Sequence, residues 1–503
     1  MSQRRFHAWL NLFERLVDGL CDPARRDRLA GALIAGFVAV YTVYGTLASW
    51  NSDVHRDFGE LIAWSHAPAL GYNHPPLSAW VATVWFGVFP RADWSAYLLG
   101  MSTSGLALWI SWKLFGDWLD ARKRVVALAM LTLVPLYTFH ALKFNANTVT
   151  MPFWAAASLY FLRSFLRRGA TQAAFAGIAA GLAMLGKYWS VFLLAGLGLA
   201  TLFDPRRARY FRSAAPWISI AAGLIVLAPH LVWLISGRAS TLAFAASTLP
   251  GGDDRLRSLG YLGGSLAYVA VPLIIFLALR PGRAGIADAL RPPDADRRLV
   301  AVLFWASLLL PAIANLIVPV RLTALWTIPN WTLLPVILLG PAAIAVSRGF
   351  AAKVMAAAIV VPLLALIASP MIAAVKQSQA PTGSHAHERA LTQAAEALWR
   401  EQTARPLRLA GGDGELVYGI AFYATDRIVA IADPLAAAAA QRIDRDGIVL
   451  ACTGDDKSCL SVIDAVSRRH GGRREEIELR RDYWGIPGVP ARYVLFAAPP
   501  KSN

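Results

Sequence analysis

The sequence has few charged residues and few cysteines for its length. Only 16% of its 503 residues are charged, whereas 56% are hydrophobic. This composition excludes an ordinary soluble protein and predicts an integral membrane protein. The three cysteines form no CxxC pair, which excludes a cysteine-based zinc motif. Neither GxxxxGK[ST] nor a strand-linked GxGxxG is present, which argues against direct use of ATP or a nucleotide sugar.

Basic residues outnumber acidic ones, with 49 lysines and arginines against 32 aspartates and glutamates, a net charge of +17. In a soluble protein this excess would suggest a nucleic-acid partner. Here the arginines stand in short clusters between apolar runs, which is typical of membrane topology and of contact with anionic lipid headgroups. The 18 tryptophans also suit a membrane interface. We therefore expect membrane lipids, and no nucleic acid, among the partners.

Long apolar runs predict a polytopic α-helical membrane protein. A spanning helix needs about 20 mostly apolar residues, and eleven segments approach that length. They cover about 30–49, 96–115, 124–140, 147–164, 171–186, 188–203, 214–236, 262–280, 299–318, 331–346 and 353–373. The segment before them, residues 1–28, is basic and amphipathic, so we predict a cytoplasmic interfacial helix there.

The basic clusters predict the orientation of these spans. If all eleven exist, clusters such as DARKR (120–124) and DPRRARYFR (204–212) fall on the same side as the N-terminus. The positive-inside rule makes that side cytoplasmic. The transmembrane domain, residues 29–375, then presents its first loop, 50–95, and a later loop, 237–261, on the outer face.

The tail, residues 380–503, lacks long apolar runs. Strand-like segments (LRLAGGD, DRIVAIAD, DGIVLAC, ARYVLFAA) are mixed with helical ones such as HERALTQAAEALWREQ and SCLSVIDAVSRRHG. This pattern predicts a small α/β domain on the outer face. There, Cys452 and Cys459 either form a local disulfide, which an oxidising compartment allows, or remain free thiols.

The densest polar chemistry of the apolar part lies in the first loop, in HRDFGELIAWSHAPALGYNHPPLSAW (55–80). Asp57 and Glu60 are three residues apart, so a helix places them on one face. The Pro-Pro pair after His74 fixes a turn, because proline locks φ and ends a helix. An acidic pair at the membrane surface suits a reaction on a lipid-borne substrate; the alternative is two solvated loop charges.

Three basic residues near outer ends of spans are candidates for binding a phosphate. Lys187, in the tight turn GKYW with Tyr188, is the first, because a lysine between two apolar spans is costly unless it faces a ligand or a cavity. Lys143 and Arg321 are the others. The alternative for each is contact with lipid headgroups.

Two amides and one histidine accompany these basic residues. Asn145 and Asn147, beside Lys143, either bind sugar hydroxyls or cap the helix that starts at Thr148. His230, near the outer end of its span, is interpreted as a buried histidine with its hydrogen bonds satisfied.

The histidines of the first loop raise the question of a metal. His55, His66 and His74, with Asp53, are suitable ligand types for zinc. Their spacing matches no compact ligand motif. We therefore predict no cofactor and no metal site, with a divalent metal as the alternative.

The order of residues in the first loop resembles a known signature. Asp57, Trp64-Ser65, ALGY (69–72) and HPP (74–76) together resemble the first loop of GT-C-type glycosyltransferases that use lipid-linked sugars. These are relatives of protein O-mannosyltransferases and of the aminoarabinose transferases that modify lipid A. Asp57 matches the first acid of the Asp-Glu pair in that signature. Phe58 replaces the second, and Glu60 is the nearest acid that would compensate.

The resemblance covers roughly residues 30–345 and implies a GT-C fold. It implies an inverting glycosyltransferase of the bacterial inner membrane that moves a sugar from a polyprenyl phosphate to an acceptor on the periplasmic face. The tail segments DGIVLAC and YVLFAAPP resemble a subset from alphaproteobacteria, some of which add galacturonic acid to lipopolysaccharide. The implied acceptor is therefore lipid A, lipopolysaccharide core or another cell-envelope glycolipid. Protein O-glycosylation, and a flippase or transporter of a lipid-linked sugar, are the alternatives.

Roles for the candidate residues follow from the chemistry of such a transfer. The acceptor hydroxyl needs a positioned base, which we assign to Asp57. The departing phosphate needs cations or hydrogen-bond donors near its developing charge. The substrate-binding candidates are Glu60, His74, Lys143, Asn145, Asn147, Lys187, Tyr188 and Arg321.

Overall fold

The structure, a computed structural model, describes residues 3–236, 246–247, 256–318 and 320–501. Most of the loop predicted over 237–261 lies outside these residues. The chain forms two compact units. The first comprises Met1–Tyr41, Leu70–Leu77 and Gly100–Leu364, and the second Thr42–Ala69, Ser78–Leu99 and Ala365–Asn503.

Helices make up most of the described residues before the tail. In chain order they are α1 Gln3–Cys21, α2 Arg26–Ala48, α3 Arg56–Ser65, α4 Leu77–Val88, α5 Asp93–Trp118, α6 Ala121–Thr132, α7 Met151–Arg167, α8 Ala170–Gly186, α9 Val191–Phe203, α10 Arg207–Phe211, α11 Ala215–Ile235, α12 Arg257–Tyr268, α13 Ala270–Ala278, α14 Gly282–Leu290, α15 Ala295–Ile317, α16 Leu334–Leu339 and α17 Arg348–Lys376. Short 3-10 helices cover Thr148–Thr150, Tyr188–Ser190, Ala324–Leu333 and Gly383–His385.

Four helices in the described residues are long and apolar enough to cross a membrane: α2, α11, α15 and α17. The pair α12 and α13, bent by 56°, would be a fifth. The chain is therefore a helical membrane protein, as its composition predicts, and the count of eleven spans stays a prediction.

Two of the predicted spans are shorter as helices than the apolar runs that suggested them. The run 124–140 is helical only to Thr132, the end of α6, after which turns lead to residue 147. Pro135 explains this end, because proline has no N–H and disfavours helical backbone in the preceding residue. The run 331–346 is helical only to Leu339, just before a Gly-Pro pair.

The tail forms an α/β fold, as its strand and helix patterns predict. The strands are β1 Leu409–Gly412, β2 Val429–Ile431, β3 Ile448–Thr453, β4 Arg473–Leu479, β5 Asp482–Tyr483, β6 Ile486–Pro487 and β7 Ala491–Ala498, and the helices are α18 Glu388–Gln402, α19 Gly414–Tyr423, α20 Ala437–Asp446 and α21 Lys457–His470. Five strands form one sheet in the order β2-β1-β3-β7-β4. β1 is parallel to β2 and β3, and β7 is antiparallel to β3 and β4.

Alternation along β3 divides the core of this sheet between its two faces. Val449 and Ala451 pack in the cluster that includes α18 and α19. Leu450 and Cys452 pack in the other cluster, with α20 and α21. This is the period of two that a buried strand requires. The edge strand β4 has the sequence RREEIEL, which is too charged to be predicted as a strand.

Helix α3 of the first loop belongs to the same compact unit as the tail, whereas the sequence grouped that loop with the transmembrane domain. Phe58 is fully buried and its ring centroid lies 6.4 Å from that of Phe422 in α19. A Cβ atom at Gly59 would overlap the carbonyl oxygen of Tyr418, so glycine permits this close helix contact.

A buried ionic network joins the start of the first loop to the tail. Asp53 is 2% exposed, forms an ion pair with Arg481 and accepts a hydrogen bond from the backbone N–H of Glu388 at 2.6 Å. The Glu388 side chain is also buried, and neither of its carboxyl oxygens has a hydrogen-bond partner among the residues that the structure describes. Burial, with the nearby Asp53 carboxylate, raises the pKa of Glu388 well above its usual range, which favours the protonated form of this carboxyl.

The first testable prediction concerns Glu388. Its folded-state pKa exceeds the unfolded value of 4.5, so the folded state retains a proton that the unfolded chain releases. Stability is therefore lost as the pH rises above about 4.5 toward the folded pKa. Glu388→Gln removes the titrating group, so its thermal stability should fall less than that of the wild type between pH 5 and pH 8.

The control is Glu478→Gln, since Glu478 is 60% exposed on β4. It should follow the wild-type pH dependence. Thermal unfolding of the purified chain at both pH values is the measurement, and equal pH dependence for Glu388→Gln and the wild type would contradict the protonated state.

Candidate functional site

A break between α8 and α9 places Lys187. Helix α8 ends at Gly186, and Lys187 is extended, with φ −161° and ψ 137°. Ser190 fixes the break, because its hydroxyl donates to the carbonyl oxygen of Ala183 (2.8 Å) and accepts from the indole N–H of Trp154 (2.9 Å). A Cβ atom at Gly186 would lie 2.7 Å from Cγ2 of Thr150, so glycine permits the close packing there.

The ammonium group of Lys187 has polar and aromatic contacts within the first unit. Nζ donates to Oδ1 of Asn147 at 2.5 Å and lies 4.3 Å from the centroid of the Trp326 ring. Both contacts stabilise a cation that is partly removed from water. Lys187 is half-buried.

The two asparagines differ in role. Oδ1 of Asn145 accepts from the backbone N–H groups of Asn147 (2.8 Å) and Thr148 (3.2 Å), so this side chain caps the turn. Asn147 instead directs its side-chain oxygen to Lys187. Of the two interpretations that the sequence left open, capping describes Asn145, while Asn147 faces the cation.

A hydrogen-bonded chain anchors the ALGY segment. Nδ1 of His230 lies 2.5 Å from the carbonyl oxygen of Leu70, and Nε2 lies 2.7 Å from the hydroxyl of Tyr188. Because a carbonyl oxygen only accepts, Nδ1 carries the proton, and Nε2 of the neutral ring accepts from Tyr188. His230 is 2% exposed and both of its nitrogens have partners, which matches the interpretation from sequence.

Glycine at position 71 brings this segment against α11. A Cβ atom there would overlap the indole ring of Trp233. Trp233 in turn stacks on His230, with ring centroids 5.7 Å apart. The start of the HPP turn is therefore held by packing as well as by the hydrogen bond at Leu70.

The HPP turn and the Lys187 break line one cavity of about 610 Å³. Its polar side chains are Asn73, His74, Asn147, Lys187 and Tyr188. Its apolar wall comprises Pro75, Trp189, Phe192, Ala314, Ile317, Val318, Val320 and Trp326. A cation beside a long apolar wall suits an amphiphile that carries one anionic group.

The cavity brings together four of the predicted residues, His74, Asn147, Lys187 and Tyr188. The described lining does not include Lys143, Asn145 or Arg321, and both Lys143 and Arg321 are exposed. Sequence reasoning missed the wall from the end of α15. The sequence feature that could have identified this wall is the apolar run that continues to Ile317, the last residue of α15.

Asp57 and Glu60 lie on α3, in the second unit. Asp57 is the second residue of the helix, and its side chain is 22% exposed. His55 precedes the helix, with Nδ1 3.3 Å from Oδ1 of Asp57 and 3.4 Å from its backbone nitrogen. Phe58, where the family signature has a second acid, is a core residue, so Glu60 one turn after Asp57 is the available acid.

Two of the four side chains weighed as metal ligands, Asp53 and His66, have other partners. Asp53 pairs with Arg481, and Nδ1 of His66 lies 2.7 Å from the carbonyl oxygen of Ile428. Among residues 3–236, 246–247, 256–318 and 320–501, no three histidine, cysteine or carboxylate side chains form a group that could hold a metal ion.

The structure joins Cys452 and Cys459 in a disulfide, with Cα atoms 5.7 Å apart. The bond links the end of β3 to the first turn of α21. Of the two alternatives for these cysteines, the structure has the disulfide.

The second prediction tests the anchoring of the HPP turn. Gly71→Ala should destabilise the chain and weaken function by displacing the turn, because its Cβ overlaps Trp233. Trp233→Phe, which removes part of the ring, should partly restore the stability of Gly71→Ala. Thermal unfolding of the two single variants and the double variant measures the coupling, expected at about 0.5–3 kcal/mol.

Gly87→Ala is the matched control, because a Cβ atom there has nothing within 4 Å. Additive effects of Gly71→Ala and Trp233→Phe would contradict the proposed contact.

Residues 73–233 match the family model described as dolichyl-phosphate-mannose-protein mannosyltransferase.

The chain is also similar to two lipopolysaccharide core galacturonosyltransferases of Rhizobium johnstonii (strain DSM 114642 / LMG 32736 / 3841). Identity to RgtB is 31% over 216 residues, which cover 40% of this chain and 41% of RgtB. Identity to RgtA is 29% over 170 residues, which cover 32% of this chain and 33% of RgtA. The chain therefore matches about two fifths or less of the length of these relatives.

The fold is similar to that of ArnT from Cupriavidus metallidurans over almost the whole chain. The comparison with ArnT bound to undecaprenyl phosphate gives a TM-score of 0.60 at 13% identity and covers 93% of this chain and 97% of ArnT. For apo ArnT the TM-score is 0.61 at 13% identity, with coverage of 92% and 97%. This fold and the match of residues 73–233 agree with the resemblance of the first loop to GT-C-type glycosyltransferases.

Proposed function

We propose that this protein is an inverting glycosyltransferase that moves a sugar from a polyprenyl-phosphate donor to a lipid A, lipopolysaccharide core or other cell-envelope acceptor. The observation that carries the proposal is the cavity that pairs the Lys187 ammonium with an apolar wall. A polyprenyl phosphate has the matching parts, one anionic group on a long apolar chain.

The similar proteins support both halves of this proposal. ArnT, whose fold the chain shares, has been solved with undecaprenyl phosphate bound. The relatives RgtA and RgtB are named as galacturonosyltransferases of the lipopolysaccharide core. We therefore propose a lipid-linked sugar as donor and a glycolipid as acceptor, with a galacturonosyl group as the first sugar to test.

The proposed reaction gives roles to five of the candidate residues. The acceptor hydroxyl oxygen attacks the anomeric carbon, the bond from that carbon to the phosphate oxygen breaks, and the polyprenyl phosphate leaves with the electron pair. Asp57 takes the hydroxyl proton as general base. Lys187, held by Asn147, stabilises the charge that develops on the phosphate. Glu60 and His74 are proposed to bind sugar or acceptor hydroxyls.

We further propose an inner-membrane location with the N-terminus in the cytoplasm. The first loop, 50–95, and the tail, 380–503, then lie in the periplasm. The Cys452–Cys459 disulfide supports this orientation, because disulfides persist in oxidising compartments such as the periplasm.

The third prediction concerns Lys187. Lys187→Met removes the cation but keeps much of the side-chain volume, and it should lower kcat/KM for the polyprenyl-phosphate donor about 10- to 150-fold, the loss expected for one charged hydrogen bond. Lys187→Arg should retain part of the activity, since it keeps the charge. The assay is sugar transfer with purified protein and defined donor.

Lys353→Gln is the control, because Lys353 is exposed on α17 and does not line the cavity. Unchanged kcat/KM in Lys187→Met would exclude Lys187 from donor binding.

The fourth prediction concerns Asp57. Asp57→Asn should lower kcat about 10²- to 10⁴-fold, the usual contribution of a general base, while donor binding persists. Mass spectrometry of lipid A and core oligosaccharide is the measurement, on cells that express wild type, Asp57→Asn, exposed-surface Asp464→Asn or empty vector. Wild type and Asp464→Asn should add the mass of one sugar, and Asp57→Asn should not.

The other outcomes separate the alternatives. The same mass gain with Asp57→Asn would remove Asp57 as the essential base. A gain on protein and none on lipid would favour protein O-glycosylation. No transfer, but movement of lipid-linked sugar between leaflets, would favour a flippase.

A further inference from the structure

A second cavity, of about 460 Å³, lies among α8, α9 and α11. Among the described residues, it shares no lining residue with the Lys187 cavity. Its wall is almost wholly apolar and includes Phe161, Leu194, Leu197, Phe211, Leu224 and Leu227. The volume lies within the range of about 300–1,000 Å³ that ligand pockets occupy.

Glycines explain why this space exists. A Cβ atom at Gly177 would overlap the carbonyl oxygen of Ser219, and one at Gly181 would lie 3.0 Å from the carbonyl oxygen of Gly223, so α8 and α11 cross in backbone contact. Gly198 of α9 lines the same cavity, but a Cβ atom there would have no described atom within 4 Å. The cavity is thus the gap left on the α9 side of a tight α8–α11 crossing.

The short helix α10 adds positive charge at one border of this cavity. Its residues Tyr210 and Phe211 line the cavity, whereas Arg207 and Arg209, with Arg212 just after the helix, are exposed. The described residues provide no carboxylate partner for these three arginines, because the nearby acids Asp204 and Asp296 pair with Arg206.

A tryptophan marks the same border. Trp217 is 59% exposed, and its indole N–H donates to the carbonyl oxygen of Phe211 at 3.3 Å. Exposed tryptophan next to clustered arginine is typical of the level of lipid headgroups.

From these observations we infer a binding site for an anionic diacyl phospholipid. One alkyl chain occupies the apolar cavity, and the phosphate is bound by Arg207, Arg209 and Arg212. Charge complementarity selects an anionic headgroup, and the apolar wall selects a lipid rather than free phosphate. The site is separate from the proposed transfer reaction and does not depend on it.

The fifth prediction is a lipid titration. Delipidated full-length protein in neutral detergent is titrated with dioleoylphosphatidylglycerol or dioleoylphosphatidylcholine, and bound lipid is counted by native mass spectrometry. Wild type should bind dioleoylphosphatidylglycerol more tightly than dioleoylphosphatidylcholine. Arg209→Gln with Arg212→Gln should weaken that binding roughly thirtyfold, from about 1 kcal/mol per arginine near a lipid surface, with little change for phosphatidylcholine.

Substitutions at two glycines test whether the cavity binds the alkyl chain of the lipid. Gly198→Phe should fill the cavity and weaken binding of both lipids. Gly36→Phe on α2 is the matched control, because a Cβ atom at Gly36 also meets nothing within 4 Å, and it should bind both lipids as wild type does. Thermal unfolding in detergent without lipid verifies that each variant is folded.

Three results would overturn the inference. Equal affinity of wild type and the double arginine variant for phosphatidylglycerol would remove the headgroup contact. Unchanged lipid binding in Gly198→Phe would show that the cavity does not hold the alkyl chain. Tighter binding of undecaprenyl phosphate than of phosphatidylglycerol, with the same dependence on Gly198, would assign the site to a polyprenyl lipid instead.

Discussion

The cost of holding one ammonium group between apolar helices is the constraint on which the proposed donor site depends. A lysine within a membrane domain is expensive unless polar groups, a ring face or an anionic ligand compensate it. At Lys187 the first two are built in, through Asn147 and Trp326. The break after Gly186 directs the side chain to these partners, and the HPP turn closes the cavity around it.

In the first loop, different surroundings give different roles to two aspartates that are only four residues apart. Asp53 is buried, pairs with Arg481 and accepts from the backbone of α18, so its carboxylate holds the tail to the start of the loop. Asp57 is partly exposed at the first turn of α3. Asp57 alone combines a partly exposed carboxylate with the position that the family signature gives to its first acid, which is why we propose Asp57 and not Asp53 as the base.

Local pattern predicted much of this molecule. Long apolar runs identified the helical membrane class, the short strand-like segments DGIVLAC and ARYVLFAA identified β3 and β7, and the isolated lysine in GKYW identified a residue that lines the cavity. Each of these signals is carried by neighbours in sequence, so no tertiary contact was needed to recognise it.

The rest depended on contacts between distant residues. The choice between capping and binding for Asn145 and Asn147 required the position of Lys187, forty residues after Asn147. The end of α6 depended on a single proline inside an apolar run. The burial of Phe58 depended on α19, more than three hundred residues later, and explains why a carboxylate would be unfavourable at that position.

The shape of the donor cavity also bears on which donors the proposed enzyme can use. Lys187 and its hydrogen-bonding neighbours would attract the phosphate of a soluble nucleotide sugar as readily as that of a lipid. The apolar wall, however, contributes only when an apolar chain covers it, at about 25 cal/mol for each Å² removed from water. A soluble donor leaves that wall wet and gains nothing from it. In the proposed reaction, selection for a polyprenyl donor would therefore reside in the wall formed by α15, Trp189 and Trp326, while Lys187 would supply the stabilisation that grows as the phosphate leaves.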